Sequence, residues 1–339
     1  MRAGRPMSHI VQITDGTARR VALVDEPRLR LLERVESTHG LAAMSINAGI
    51  PISRLVEQFA TGAAIDYDEV YAGRGAWRLL PPIDHTEPAR CLVSGTGLTH
   101  LGSAQDRDAM HDAKQSETLT DSLRMFRDGL AGGHPAPGAI GVAPEWFYKG
   151  SGTMLRAHGE PLAVPCFAED GGEEGEIAGV YVIDPDGVPC RVGMVTGNEF
   201  SDHLFERRNY LNLAGSKLRT SAIGPELVLT PRFDSVHGEV SIEREGRRLW
   251  VRAVASGEAE MSHSLRNIEH HHFKFEGHRR PGDVHVHFFG AHSLSFGAGV
   301  TLLDGDVMSV WFDGFGRALR NVVRREGTVD RPIAVRVVG

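Results

Sequence analysis

Cysteine is scarce in this chain: three residues in 339, Cys91, Cys166 and Cys190, widely separated and odd in number. No Cys-x-x-Cys pair occurs, so neither a zinc knuckle nor a disulfide framework is expected, and a reducing cytoplasmic setting is the simple reading. Long apolar runs are missing as well. No stretch approaches the roughly 18 residues of a membrane span, and the opening MRAGRPMSHIVQITD lacks the apolar segment of a secretion signal. MRAGRP, before Met7, reads as an alternative start or leader outside the fold. Basic residues are not in excess: 37 Lys and Arg stand against 44 Asp and Glu, for a net charge of −7. Even one of their denser groups, Arg317, Arg320, Arg324 and Arg325, is too sparse for a nucleic-acid surface. Regular βαβ alternation is absent too, which disfavours a doubly wound sheet.

What is present is the composition of a folded protein, 41% hydrophobic and 24% charged, in a length that suits one large domain or two smaller ones. HIVQITD and RRVALVD flank the turn DGTA and predict two strands. EPRLRLLERVES and ISRLVEQFA have roughly helical apolar spacing. The proline-rich segment 75–90 reads as an extended connection. The expected organisation is therefore a small N-terminal α/β unit over 1–88 and a larger domain over 89–339. In the latter, 116–130 predicts an amphipathic helix with Leu119, Leu123, Phe126 and Leu130 on one face. After it come mostly short strands punctuated by glycine: EIAGVYVID, CRVGMVTG, ELVLTPRF, EVSIERE, RLWVRAVAS, DVHVHFFG, VMSVWFDG and IAVRVV. The expected class is α+β, with an antiparallel or mixed sheet assembly.

The stretch GGEEGEIAGVYVID (171–184) crowds carboxylates onto the entry of an apolar strand. Alternation along a strand points Glu174 and Glu176 the same way. Half-buried like charges repel, and a divalent cation with a preference for oxygen ligands removes that cost. A third carboxylate should come from a neighbouring strand or its turn, and TGNEFSDHLFERRNY supplies Asp202. The pair by itself fits a solvated polar face as well as a metal site.

The order P-E-W-F-Y-K (144–149), E-G-E-I-A-G-V-Y-V-I (174–183), G-N-E-F-S-D (197–202), S-K-L-R-T-S-A-I-G-P-E-L-V (216–228) and G-D-V-M-S-V-W-F-D-G-F-G-R-A-L-R-N (305–321) resembles the fumarylacetoacetate hydrolase superfamily over about residues 91–325. The resemblance implies a catalytic domain of mixed β-sheet, the β-roll of that family, and a homodimer or higher homo-oligomer. It implies a divalent metal, Mg²⁺ first and Mn²⁺ second, on Glu174, Glu176 and Asp202, with Lys217 beside the substrate and Lys149 matching a second lysine of the pattern. Hydrolytic members open the domain with G-x-N-Y-x-x-H-x-x-E, whose His and Glu activate water. Here the segment reads G-L-T-H-L-G-S-A-Q-D-R (97–107), with Ser103 and Asp106 at those two places. The form with Thr99, Ser103 and Arg107 is closer to the sugar-acid branch, which dehydrates 2-keto-3-deoxypentonates. The implied activity is a lyase reaction: dehydration of a 2-keto-3-deoxy sugar acid to α-ketoglutarate semialdehyde through a metal-stabilised enolate. Hydrolysis of an acylpyruvate, or of a 2,4-diketo-3-deoxy sugar acid, is the alternative, and a non-catalytic sugar-acid-binding protein is a second. Lys217 or Lys149 is the candidate base for the C3 proton, or a fixer of the substrate carboxylate. Thr99, Arg107 and, on a loose alignment, Ser293 are candidate substrate contacts, Arg107 being equally readable as an exposed helix-start arginine.

Eight histidines crowd residues 263–292: His263, His270, His271, His272, His278, His285, His287 and His292. His285 and His287 share one face of a strand, an arrangement that also serves metal in cupin barrels. Hydrogen bonding within a core or an interface, a pocket-lining role and a metal site all remain open for them.

Overall fold

A computed structural model describes residues 7–60, 62–102, 104 and 120–339. The N-terminal part supplies β1 (His9–Thr14), β2 (Arg19–Asp25), β3 (Arg28–Leu31), β4 (Ala64–Asp66) and β5 (Arg78–Leu80), with α1 (Thr38–Ala48), α2 (Ile52–Phe59) and α3 (Tyr67–Tyr71). The remainder supplies β6 (Cys91–Gly97), β7 (Glu145–Ser151), β8 (Leu155–Arg156), β9 (Leu162–Val164), β10 (Gly175–Ile183), β11 (Pro189–Asn198) and β12 (Ser221–Val228). It continues with β13 (Val236–Arg244), β14 (Arg247–Ser256), β15 (Val284–Phe288), β16 (Val307–Phe312) and β17 (Leu319–Arg325). Its helices are α4 (Asp121–Gly132), α5 (His203–Arg208), α6 (Leu213–Lys217) and α7 (Leu265–Phe273).

One large sheet runs β4-β3-β2-β1-β12-β11-β10-β15-β6-β7, with β5 beside β1 and β8 beside β12. A second sheet runs β14-β13-β16-β17-β9. Most pairings are antiparallel; β15–β6, β12–β8 and β17–β9 are parallel. The pairing of β1 with β12 makes the N-terminal strands part of the large sheet. The class is the expected α+β one.

Two expected elements differ. EPRLRLLERVES is not a helix: Arg28–Leu31 is a strand that pairs with β2, and Leu29 is buried between exposed Arg28 and Arg30. Its governing period is two, not 3.6. IAVRVV forms no strand, because residues 327–339 pair with nothing among the described residues and stand exposed. The helix expected over 116–130 is present as α4, capped by the Thr120 hydroxyl; it buries Phe126, leaves Leu130 exposed, and Leu119 lies outside the described residues.

The two faces of β10 position the site. Ala178, Val180 and Val182 join Val284, Val286 and Phe288 of β15 in one hydrophobic cluster. On the other face Gly175 lies so close to Val240 and Val310 of the second sheet that a Cβ there would sit 2.5 Å from the Val240 side chain. Glycine is what lets the sheets approach where the carboxylates begin.

Candidate active site

Glu174 and Glu176 sit at the entry of β10, on the face that continues into Ala178 and Val180. Across from them, β11 runs antiparallel, with Gly175 opposite Asn198 and Glu176 opposite Gly197. The same register brings Glu199 against Glu174, whose carbonyl accepts the Glu199 N–H at 2.8 Å. Carboxylate oxygens of Glu174, Glu176 and Glu199 all lie within 4.8 Å of one another, and all three side chains are buried. Among the described residues this is the one group of three or more acidic, His or Cys side chains whose atoms are placed to hold a metal ion.

Two fully buried lysines close on this cluster. The Lys217 ammonium donates to Glu174 Oε1 at 2.5 Å, to Glu199 Oε2 at 2.7 Å and to Ser201 Oγ at 3.1 Å. It also lies 4.6 Å from the centroid of the Phe147 ring, a cation–π placement. Lys149 pairs with Glu199 Oε1 at 2.5 Å and donates to the Phe200 carbonyl at 2.6 Å. His203 Nε2 donates to Glu174 Oε1 at 3.1 Å. Strand alternation explains the lysine on β7: Glu145, Phe147 and Lys149 turn inward, while Trp146 and Tyr148 turn out.

The electrostatics are under tension. Burial, then the neighbouring Glu199 and Glu174, push the Glu176 carboxyl well above the usual range. Among the described residues its one hydrogen bond comes from the Gly290 N–H, at 2.7 Å. Burial and Glu174 likewise raise Glu199, although both lysines pull the other way. Burial lowers Lys149 against the opposing pull of Glu199. For His203 burial favours the neutral ring, but the bond and charge of Glu174 outweigh it and raise the imidazole. Three crowded oxygen donors, with the charged forms of Glu176 and Glu199 penalised, are a donor set that a hard divalent cation relieves.

Asp202 takes a different position. Its carboxylate pairs with Arg219 at 2.9 Å and accepts the backbone N–H groups of Glu169, Asp170 and Phe205, the last as the cap of α5. Burial alone would raise it; the hydrogen bonds of Asp170, the backbone and Arg219 bring it below the usual range. The structure thus brings Glu174, Glu176, Lys149 and Lys217 together, adds Glu199 and His203, and leaves Asp202 outside the carboxylate cluster.

Thr99 is buried and donates to the Phe289 carbonyl at 2.7 Å, next to Gly290. Ser293 is buried in the loop that follows, and its hydroxyl meets no partner among the described residues. Ser295 anchors that loop through its N–H and hydroxyl, both 2.7 Å from the carboxylate of Glu173. Ser103, Asp106 and Arg107 lie outside the described residues.

The histidines occupy the opposite face. His287, beside Gly179, is held between the hydroxyls of Ser94 (2.9 Å) and Thr96 (2.8 Å). Trp146 Nε1, which can only donate, meets His272 Nδ1 at 3.2 Å, so the neutral His272 ring carries its proton on Nε2 and donates to His285 Nδ1 at 2.9 Å. His278 donates to the His272 carbonyl, and His271 to that of Gly141. The two nitrogens of His287 and the Nδ1 of His285 are therefore already engaged.

No family model matches the sequence, and no curated protein matches it. Solved structures do. A 2-keto-3-deoxy-D-arabinonate dehydratase complexed with magnesium and 2,5-dioxopentanoate superposes with a TM-score of 0.69 at 19% identity, over 94% of this chain and 99% of that one. A 2-hydroxyhepta-2,4-diene-1,7-dioate isomerase from Mycobacterium marinum gives 0.57 at 16% identity, over 95% and 100% of the two chains. A 5-carboxymethyl-2-hydroxymuconate delta-isomerase from Mycobacterium smegmatis gives 0.56 at 16%, over 94% and 100%. This chain shares the fold of these enzymes. No helix among the described residues is long and apolar enough to cross a membrane.

Proposed function

We propose that the chain is a metal-dependent lyase that dehydrates a 2-keto-3-deoxy sugar acid, a pentonate first, to 2,5-dioxopentanoate. The observation that carries this reading is the buried set of Glu174, Glu176 and Glu199 with Lys149 and Lys217 packed against it. It lies in a fold shared with a dehydratase whose structure holds magnesium and 2,5-dioxopentanoate. The three glutamates would hold the divalent cation, Mg²⁺ or Mn²⁺. Bound there, it supplies Lewis acidity toward the keto and carboxylate oxygens of a 2-keto acid.

The protein's own groups do the rest. Lys217 sits beside two of the three carboxylates and, in its neutral amine form, takes the C3 proton on Nζ; Lys149, held by Glu199 and the Phe200 carbonyl, keeps that carboxylate in place. Breaking C3–H leaves the electron pair in the C2–C3 bond. Breaking C4–O then expels the hydroxyl, which collects a proton and leaves as water, and a double bond forms between C3 and C4. Moving one proton from C5 to C3 gives the C4–C5 enol, and moving the proton of its hydroxyl to C4 turns that enol into the aldehyde. Phe147 against the lysine, and the full burial of its side chain, keep bulk water from the base. Thr99 and the Gly290–Ser295 loop, with the buried Ser293 hydroxyl, form the side of the site from which a sugar-acid oxygen is met.

Product analysis by NMR tests the reading. Purified protein with Mg²⁺ and racemic 2-keto-3-deoxypentonate is expected to yield 2,5-dioxopentanoate and water, and to leave an acylpyruvate intact. Cleavage of the acylpyruvate to pyruvate and an acid would make the chain a hydrolase.

A further inference from the structure

Two unsatisfied features of this molecule match each other. One is the segment 331–338, RPIAVRVV, in which Ile333, Val335 and Val337 alternate in sequence and are 90%, 86% and 87% exposed. Alternating β-branched residues after a proline are the pattern of a strand with one apolar face. The other feature is a sheet edge. The large sheet ends at β4 and β7, the smaller at β14 and β9. β4 and β9 are three residues each, too short to template a strand. β14 is long, but Arg247, Arg248 and Arg252 line it, and charged side chains of this kind keep other strands off an edge. They would also face Arg331 or Arg336 of the segment, and like charges across a strand pair repel.

β7 carries no such guard. It pairs with β6 alone among the described residues, and its outward side chains are the half-exposed aromatics Trp146 and Tyr148. Exposed Phe275 continues that apolar surface, its ring centroid 6.4 Å from that of Trp146. Its two charged residues, Glu145 and Lys149, turn inward.

We propose that residues 332–338 of one copy of this chain add as a strand to the β7 edge of a second copy, laying Ile333, Val335 and Val337 beside Trp146 and Tyr148. Backbone bonding gives the affinity, and the alternating side chains set the register. The occupant is a second copy because the described residues of one chain leave both features bare. Each copy offers one strand and one edge, so a two-fold exchange satisfies both and closes on itself. The inference is independent of the dehydratase reading.

Sedimentation velocity on the full chain tests it, beside a chain lacking 330–339 and the variants Val335→Asp and Tyr148→Lys, both at exposed positions. The full chain is expected as a two-copy particle, and each of the three changes should weaken association by about tenfold or more. A Val335→Cys, Tyr148→Cys double variant should form a disulfide between copies on oxidation, and neither single variant should. A full chain that sediments as single copies overturns the proposal. So does a particle whose association survives the truncation, or a disulfide that forms within one copy.

Discussion

β10 and β15 bury polar groups on both faces, and the two faces handle the burden in opposite ways. On one, Glu174, Glu176 and Glu199 gather like charges that two lysines and a histidine only partly offset. On the other, His272, His285 and His287 are neutral rings: Trp146 fixes the proton of His272 and, through it, that of His285, while the Ser94 and Thr96 hydroxyls hold His287. The histidine face is nearer to settled: His272 and both nitrogens of His287 have partners, and the one bare atom, the buried Nε2 of His285, carries that ring's proton and so offers no lone pair to an ion. The carboxylate face is not, because Glu176 and Glu199 are held above their ordinary range by their own neighbours. A large number of metal-capable residues is therefore a poorer guide to a site than uncompensated charge among a few.

The sharpest way to break that comparison is to neutralise one carboxylate. Glu176→Gln keeps the shape and the Gly290 contact but removes a donor. Mg²⁺ affinity, measured by calorimetry, should fall on the order of 100-fold or more, beyond the ~10–100-fold that outer contacts to a metal cost, and turnover should fall with it. The metal-free protein should be no less stable than the parent, since a repelling charge has gone. Glu199→Gln should lose metal in the same way. Undiminished Mg²⁺ affinity in both variants would remove the carboxylate site.

Asp202→Asn sharpens the contrast from the other side, and it concerns what the sequence could reveal. Glu174, Glu176, Lys149 and Lys217 were legible from alternation and motif order. Glu199 stands in the same G-N-E-F-S-D stretch as Asp202, but choosing between them needs the register of β10 against β11. That register shifts at Val180 and Tyr181, where Val192 is the extra residue of a bulge. Counting back from the D-P-D-G turn without the bulge sets Asn198 across from Glu174 and sends Glu199 to the wrong face. No local signal announces the bulge. A similar ambiguity hid β3, whose Leu-Arg-Leu-Leu run satisfies helix and strand periods at once, and the packing of Leu29 decides. Asp202→Asn should leave Mg²⁺ affinity within a few-fold of the parent while costing about 3 kcal/mol of stability, because Arg219 is left buried without its partner charge. Urea unfolding and calorimetry on the one variant read both numbers. A collapse of metal affinity on an intact fold would return Asp202 to the ligand set.

The smallest effect tests the histidine face. Burial lowers His285 and His287 to about 3, from an ordinary value of 6.5. A histidine depressed in the folded state takes its proton in the unfolded state first. Its contribution is therefore intact above pH 6.5 and drains away as pH falls toward 3, at about 1.4 kcal/mol per pH unit for each ring. Between pH 7.5 and pH 5 that amounts to about 2 kcal/mol per histidine. His287→Gln should cost about 1 kcal/mol at pH 7.5, since the Ser94 and Thr96 hydroxyls lose their ring partner. It should also flatten the decline to pH 5 by one histidine's share and leave Mg²⁺ affinity near the parent's. Unfolding curves at the two pH values supply the difference, in which the other depressed histidines cancel. If metal content drops together with the flattened slope, the imidazoles hold an ion and the two faces are not the opposites described here.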